Sequence, residues 1–366
     1  MHQGKARWRS PKPMAAQRCA MTRLLAFAAA LTVARALAPP RQTLSRFMLE
    51  QTRVDGERQD LEALMGSIQM ACKTISALVQ RAGLADMTGY RDDGNINVQG
   101  EEQKKLDVIT NDVLKDALGY GGRVGLVASE EEDLPVLVEE TLESKYVAVF
   151  DPLDGSSNVD AAVATGTIFG IFELDETCGF SAPDSTSNST TLDDRETRCL
   201  LSALQPGRSL VAAGYCMYSS STILVFTCGD GVNGFTLDPK SNEFVLSHAN
   251  LTVPATGPYY SFNEGNAPHW DGAVVEYLDG LKREKGYSAR YIGSMVADVH
   301  RTLLYGGVYG YPADAKNANG KLRLLYEAAP MSFIVEQAGG RSTTGAEPIM
   351  AIVPDHVHQR VPVFLG

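Results

Sequence analysis

Ten consecutive residues, Phe150-Asp151-Pro152-Leu153-Asp154-Gly155-Ser156-Ser157-Asn158-Val159, constrain this chain more than any other segment. Residues 146–150 are short, apolar and β-branched, which predicts a buried strand. An acidic turn follows, and the Gly-Ser-Ser step reads as a helix start. A hard cation such as Mg²⁺ takes oxygen ligands, usually one or two carboxylates plus phosphate oxygens. Asp151, Asp154 and the Leu153 carbonyl are placed to converge on one or two such ions. The amides of Gly155, Ser156 and Ser157 would face a phosphate at the helix N-terminus. A bare D-x-x-D-G is usually only a turn with an Asp cap. The full string is far more specific.

A second acidic cluster, Glu130-Glu131-Glu132-Asp133, follows the strand expected at 123–128. Alone it reads as a solvated loop. Two carboxylate clusters at strand ends of one α/β domain are what a multi-metal phosphoryl site requires. Formal net charge is -11, and residues 1–40 hold seven Lys/Arg and no acid, leaving -18 on the remainder. So acidic a body argues against nucleic acid or an anionic membrane as partner. An anionic small substrate stays compatible, because metal ions and a few local cations reverse the field within one pocket.

Residues 1–40 read as a targeting leader. A basic stretch leads to an apolar run at 24–33 and two A-x-A sites at 34–36 and 36–38, with a signal peptide at about 21–38. The run is too short to span a membrane. Leu61, Leu64, Ile68, Ala71, Ile75, Leu78 and Ala82 recur at helical spacing until Gly83. Residues 87–106 suggest a mobile loop, and 107–118 a helix. Further strands are expected at 167–174, 210–213 and 222–227. The second half should hold strands near 258–262 and 349–353, and helices near 270–282, 294–305 and 324–338. Cys72, Cys216 and Cys228 read as core packing, and His300 as structural. Alternating helices and strands without a glycine-rich dinucleotide fingerprint argue for layered α/β sheets rather than a Rossmann fold.

The chain resembles the fructose-1,6-bisphosphatase family from about residue 43 to 366, most specifically in four strings. They are 97–107 (Asn-Val-Gln-Gly-Glu-Glu-Gln-Lys-Lys-Leu-Asp), 150–172, 289–301 and 319–327. The resemblance implies an α/β (α+β layered) sugar-phosphatase fold of alternating helix and sheet layers. A metal and regulatory domain at 43–249 would precede a sugar-phosphate domain at 250–366. Carried over by position, the metal ligands would be Glu101, Glu130, Glu131, Asp151, Leu153, Asp154 and Glu327. Asp is usual at Glu101 in animal members. Mg²⁺ is the implied ion, with Mn²⁺ as a substitute. Asp107 and Glu131 would polarise the attacking water. Substrate contacts would come from Asp154, Gly155, Ser156, Ser157, Asn263, Arg290, Tyr291, Gly293, Ser294, Met295, Tyr311, Lys321 and Arg323. In the family the residue at Arg290 reaches a neighbouring subunit's site, implying a homo-oligomer, a tetramer. Asn266-Ala267 stands where members usually place a Tyr. The chain closes at Val363-Phe364-Leu365-Gly366, where members usually continue into one more helix.

Residues 53–58 lack the Gly-Glu-Met-Thr-like turn of AMP-binding members, and Glu173 replaces an expected Arg, although Lys145 and Tyr146 match. Weak or absent AMP inhibition is expected. Twenty residues separate Cys178 from Cys199 in a polar, acidic loop that resembles the redox insertion of chloroplast members. Leu204 stands where that insertion has a third cysteine. A thiol pair in an exposed loop suits exchange with thioredoxin, which with the leader implies a plastid stroma. Sedoheptulose-1,7-bisphosphatase shares the Asp-Pro-Leu-Asp-Gly-Ser-Ser core and is the alternative, though Asn158-Val159-Asp160-Ala161-Ala162 looks like the fructose enzyme. An inositol monophosphatase relative would lack the Arg290 and Lys321 strings. A catalytically dead regulator would have lost a carboxylate, and none is lost.

Overall fold

The computed structural model describes residues 42–54, 59–90, 103–137, 144–174 and 201–366. The leader, Glu101, and the pair Cys178 and Cys199 lie outside the described residues. Thr43–Gly366 is one compact unit, and both expected halves lie within it.

Eight strands form the large sheet: β1 (Val124–Ser129), β2 (Val136–Leu137), β3 (Tyr146–Asp154), β4 (Thr165–Glu173), β5 (Leu210–Tyr218), β6 (Thr222–Thr227), β7 (Val232–Asp238) and β8 (Glu243–Leu251). Their order is β2-β1-β3-β4-β5-β6-β7-β8. β1 and β3 run parallel, and the other neighbours are antiparallel. Strand alternation divides β3 between two cores. Ala148 and Phe150 join Leu64, Ile68 and Leu114, which lie on α2 (Gln59–Arg81) and α3 (Lys105–Tyr120). Helix α1 (Leu44–Val54) packs into the same core through Leu44 and Met48.

Val147 and Val149 face the other way. They pack with Val299 and Leu303 of one helix, and with Ile334 and Val335 of another. The second half thus supplies the opposite layer. It contributes α4 (Gly272–Arg283), α5 (Met295–Tyr305) and α6 (Ala329–Gln337). Its five-stranded sheet combines β9 (Tyr259–Ser261), β10 (Ser288–Ala289), β11 (Val308–Tyr311), β13 (Ser342–Thr343) and β15 (Val363–Leu365). A separate ribbon pairs β12 (Leu322–Arg323) with β14 (Arg360–Val361). Tyr309, Val363 and Leu365 meet α5 and α6 from the far side, while Leu278 and Leu281 of α4 pack with Tyr260 and Phe262. The layers are helix, sheet, helix, sheet, helix, the layered α/β architecture expected.

Four local expectations change. β3 continues through Asp154, so the two aspartates stand in the strand rather than in a turn. The segment after Gly155 is a short 3₁₀ turn, Ser156–Ala161, not an α-helix. Residues 349–353 make no strand, because Ile349–Ala351 is a 3₁₀ turn that buries Ile349 and Met350. β7 and β8, which the periodicity did not single out, complete the sheet.

Candidate active site

Parallel pairing sets Ser129, the last residue of β1, opposite Phe150, and β3 runs on from there through Asp154. The Glu130 amide donates to the Phe150 carbonyl at 3.2 Å, bringing Glu130 beside Asp151. Residues three apart on a regular strand face opposite ways. Between Asp151 and Asp154 the register against β4 moves from Ile168 to Gly166, so β3 holds one extra residue there. This bulge turns both carboxylates to one side. Glu327 arrives from the π-helical turn Leu324–Ala328. One oxygen each from Asp151, Asp154 and Glu327 lies within 4.8 Å of the others, and all three residues are buried.

Each of these carboxylates is held by the backbone around it. Asp151 accepts the Leu153 amide at 2.9 Å. Asp154 accepts Ser294 Oγ at 2.5 Å and the amides of Met295 and Val296 at 3.1 and 2.9 Å, at the start of α5. Glu327 accepts the Arg323 amide at 2.5 Å. Gly155 has φ +72°, and a Cβ there would stand 2.9 Å from that of Ser294. The position therefore demands glycine for both conformation and room.

Asp107 of α3 and Glu131, just past β1, lie close enough to Glu130 to feel its charge, but neither lines the cleft. Asp107 accepts the Lys104 amide at 3.0 Å and bonds Ser156. Glu131 accepts Gln103 Nε2 at 2.5 Å. Burial, then the neighbouring Glu130 charge, raises both: Asp107 to about 6 and Glu131 to about 8. Burial also lifts Asp154 to about 6, against the pull of its Ser294 bond, and Glu327 to about 8, against the pull of Arg323. Asp151 rises through burial and the charges of Glu130, Asp154 and Glu327. Carboxylates crowded out of water in this way call for a counter-cation. The donors are all hard oxygens, which suits Mg²⁺ or Mn²⁺ and not a thiophilic metal.

The cluster opens into a cleft of about 510 Å³. Its walls hold the expected Gly155, Ser156, Ser157, Asn263, Tyr291, Gly293, Ser294, Met295, Tyr311, Lys321 and Arg323, besides Glu130, Asp151, Leu153, Asp154 and Glu327.

A family model for the fructose-1,6-bisphosphatase N-terminal domain matches residues 42–249, and one for the C-terminal domain matches 253–366. The chain belongs to the fructose-1,6-bisphosphatase family. It is 55% identical over 329 residues to the chloroplastic fructose-1,6-bisphosphatase of Brassica napus, covering 89% of this chain and 79% of that one. The chloroplastic enzyme of Spinacia oleracea is 53% identical, with 89% and 78% covered. The holo structure of Leishmania major fructose-1,6-bisphosphatase superposes with a TM-score of 0.80 at 43% identity, covering 90% of this chain and 96% of that one. Membership makes this chain a phosphatase of a metal-dependent family.

Two family positions behave differently from the rest. Arg323 lies on the acidic cluster itself, with Nη2 2.9 Å from Glu130 and Nη1 3.8 Å from Glu327. Arg290 does not line its own cleft. Its guanidinium donates to the Ala289 carbonyl at 2.7 Å and lies over the Tyr259 ring at 5.1 Å. Asn266, in the Asn266-Ala267 step where a Tyr was expected, donates to the Tyr311 hydroxyl at 3.3 Å.

Six cleft residues, Tyr90, Lys104, Asn158, Asp298, Tyr309 and Leu322, were not assigned to the site from the sequence. Lys104 pairs with Asp160 at 2.5 Å and lies over Tyr90 at 5.3 Å. Asp298 accepts the amides of Ile292 and Gly293 at 3.0 Å and so shapes the 291–294 loop. Asn158 donates to the Ala164 and Ile292 carbonyls, tying the 3₁₀ turn to the same loop. An acid in the first turn of a predicted helix was the available signal for Asp298. His300 is structural, buried with Nδ1 2.7 Å from the Tyr215 hydroxyl. Outside the cleft, Lys145 pairs with Asp60, and Glu173 is exposed at the end of β4.

Proposed function

We propose that this cleft hydrolyses the 1-phosphate of fructose 1,6-bisphosphate in the Calvin cycle, giving fructose 6-phosphate and phosphate. The observation that carries the reading is the convergence of Asp151, Asp154 and Glu327 within 4.8 Å in a cleft that also holds Tyr291, Tyr311 and Lys321. The carboxylates suit a hard cation and the transferred phosphoryl group, and the other three a second phosphate. Glu130, Asp151, the Leu153 carbonyl, Asp154 and Glu327 would hold Mg²⁺, with Glu131 beside them. When bound, the cation supplies positive charge against the phosphoryl oxygens.

The chain's own groups account for binding, orientation and proton movement. Lys321 pairs with the distal phosphate as a point charge, and the Tyr291 and Tyr311 hydroxyls donate to it. The amides of the Gly155–Ser157 turn orient the reacting phosphate. Glu131 and Asp107 orient a water in line with it. That water's oxygen bonds to phosphorus as the bond from phosphorus to the C1 oxygen breaks. The water's proton passes to a carboxylate oxygen of Glu131 or Asp107, and the sugar oxygen leaves with a proton from solvent. Burial and the Glu130 charge raise both carboxyls in the metal-free site, and a bound cation would draw them down again, leaving a carboxylate free to accept the proton.

The chloroplastic names of the relatives support a plastid location for this chain, reached through the leader at 1–40. The resemblance of the Cys178–Cys199 segment to the redox insertion of chloroplast members supports a redox role for this pair with thioredoxin as reductant, and family usage supports a tetramer. The deciding experiment is phosphate release from fructose and sedoheptulose bisphosphates, with and without Mg²⁺ and dithiol. Faster turnover of the fructose substrate, abolished by chelator, is expected, and preference for the sedoheptulose substrate reverses the assignment. Cys178→Ser should be active without dithiol and insensitive to oxidant. Equal wild-type activity in both redox states at low Mg²⁺ would leave that loop no regulatory role.

A further inference from the structure

His358 stands behind the wall of the cleft and touches two of the segments that bring carboxylates into it, the loop after β1 and the Glu327 turn. Its Nε2 lies 3.0 Å from the Glu132 carbonyl, and its Nδ1 lies 2.8 Å from the Tyr326 hydroxyl. A carbonyl only accepts, so Nε2 carries the proton. Nδ1 of the neutral ring is then the acceptor, and Tyr326 donates to it. Burial holds the His358 pKa below its ordinary value, which keeps the ring neutral near pH 7. Glu132 directly follows Glu130 and Glu131. Tyr326 directly precedes Glu327, is fully buried, and meets the His358 ring edge-on at 5.8 Å.

The surrounding residues make this junction stiff. The Gln359 carbonyl accepts the Leu324 amide at 2.7 Å, and the Gln359 side chain accepts the Asp355 amide at 2.6 Å. Arg360 and Val361 then pair with Arg323 and Leu322. One stretch near the C-terminus therefore grips the Glu327 turn by its backbone and the Glu130-Glu131 loop through a single imidazole.

We propose that His358 is a positioning residue that fixes the Glu130-Glu131 loop relative to Glu327 and so sets the affinity of the carboxylate cluster for a divalent cation. The inference rests on reading that cluster as a metal site. Groups outside the ligand set that orient ligands commonly change metal affinity 10- to 100-fold. Mn²⁺ binding to the full chain, followed by the electron paramagnetic resonance of free Mn²⁺, tests it without turnover. His358→Ala should weaken Mn²⁺ binding by about tenfold or more, while fructose 6-phosphate binding to the metal-free protein stays at the wild-type level. His358→Gln should restore Mn²⁺ affinity, because its amide both donates and accepts. Tyr326→Phe removes one hydroxyl and no packing volume, and should weaken Mn²⁺ binding in the same direction. It decides the matter if His358→Ala does not fold. Wild-type Mn²⁺ affinity in folded His358→Ala, or in Tyr326→Phe, overturns the assignment of His358 and leaves the metal site standing. A wild-type chain that binds no Mn²⁺ overturns the metal reading, and this inference with it.

Discussion

Asp154 has two tasks that pull its chemistry in opposite directions. Three donors at the start of α5 favour its charge, while burial beside other carboxylates opposes it. Crowded like charges destabilise a fold until a cation joins them. Asp154→Asn removes one charge and keeps an oxygen that can accept from the helix. The variant should melt no lower than wild type in chelator, yet turn over ~10²-fold more slowly or worse in Mg²⁺, because electrostatic stabilisation dominates phosphoryl transfer. Melting temperature and kcat together check this, and full activity refutes it. The carboxylates themselves were readable in the sequence, since the ten-residue string and its acidic companion allow few other uses. The seat of Arg323 on Glu130 was not, because the two residues meet only through tertiary packing.

The bulge in β3 converts the two aspartates from opposite faces to one, and its support comes from the next strands. Thr167 of β4 donates its hydroxyl to the Pro152 carbonyl at 2.9 Å. Thr167 has one proton to give, so the Tyr218 hydroxyl, 2.8 Å away, donates to Thr167. Both side chains are buried. Thr167→Val keeps the shape and leaves the Pro152 carbonyl and the Tyr218 hydroxyl without that partner. It should cost about 1–3 kcal/mol of stability, the range for a buried polar group left unsatisfied. Urea denaturation measures it, and an unchanged midpoint would show that water replaces the hydroxyl. Such a bulge leaves no composition signal, which is why a turn was expected there. The long helix α2 was readable because its apolar positions recur over six turns. Residues 349–353 misled because a short apolar run looks the same in a strand and in a buried turn, and here Ile349 and Met350 pack beneath α6.

In the assembled molecule the two halves meet along the central helical layer, and the site lies where β3, α5 and the Glu327 turn come together. Arg290 stays outside this cleft within one chain, which fits service to a neighbour's cleft in an oligomer. Arg290→Ala should raise KM for fructose bisphosphate roughly ten- to hundredfold, the worth of a charged hydrogen bond. Mixed oligomers of Arg290→Ala and Asp154→Asn subunits should regain low-KM turnover, because each supplies what the other lacks. No recovery on mixing would place Arg290 in the service of its own subunit. Across the same layer, His300 of α5 meets Tyr215 of β5 with its Nδ1 2.7 Å from the hydroxyl. Burial, aided by His248 and Arg301, lowers the His300 pKa to about 4. The unfolded chain takes up that proton near 6.5. Between these values the unfolded state binds more protons, so stability is fully present above pH 6.5 and is lost as pH falls towards 4. The loss attributable to this ring is about 3 kcal/mol by pH 4. The carboxylate cluster titrates in the opposite sense, so the measurement is a difference between two chains at saturating Mg²⁺. His300→Gln keeps an acceptor for Tyr215 and cannot titrate. Its stability should fall less than that of wild type between pH 7 and 4, and parallel profiles would mean that the imidazole already accepts its proton in the folded core.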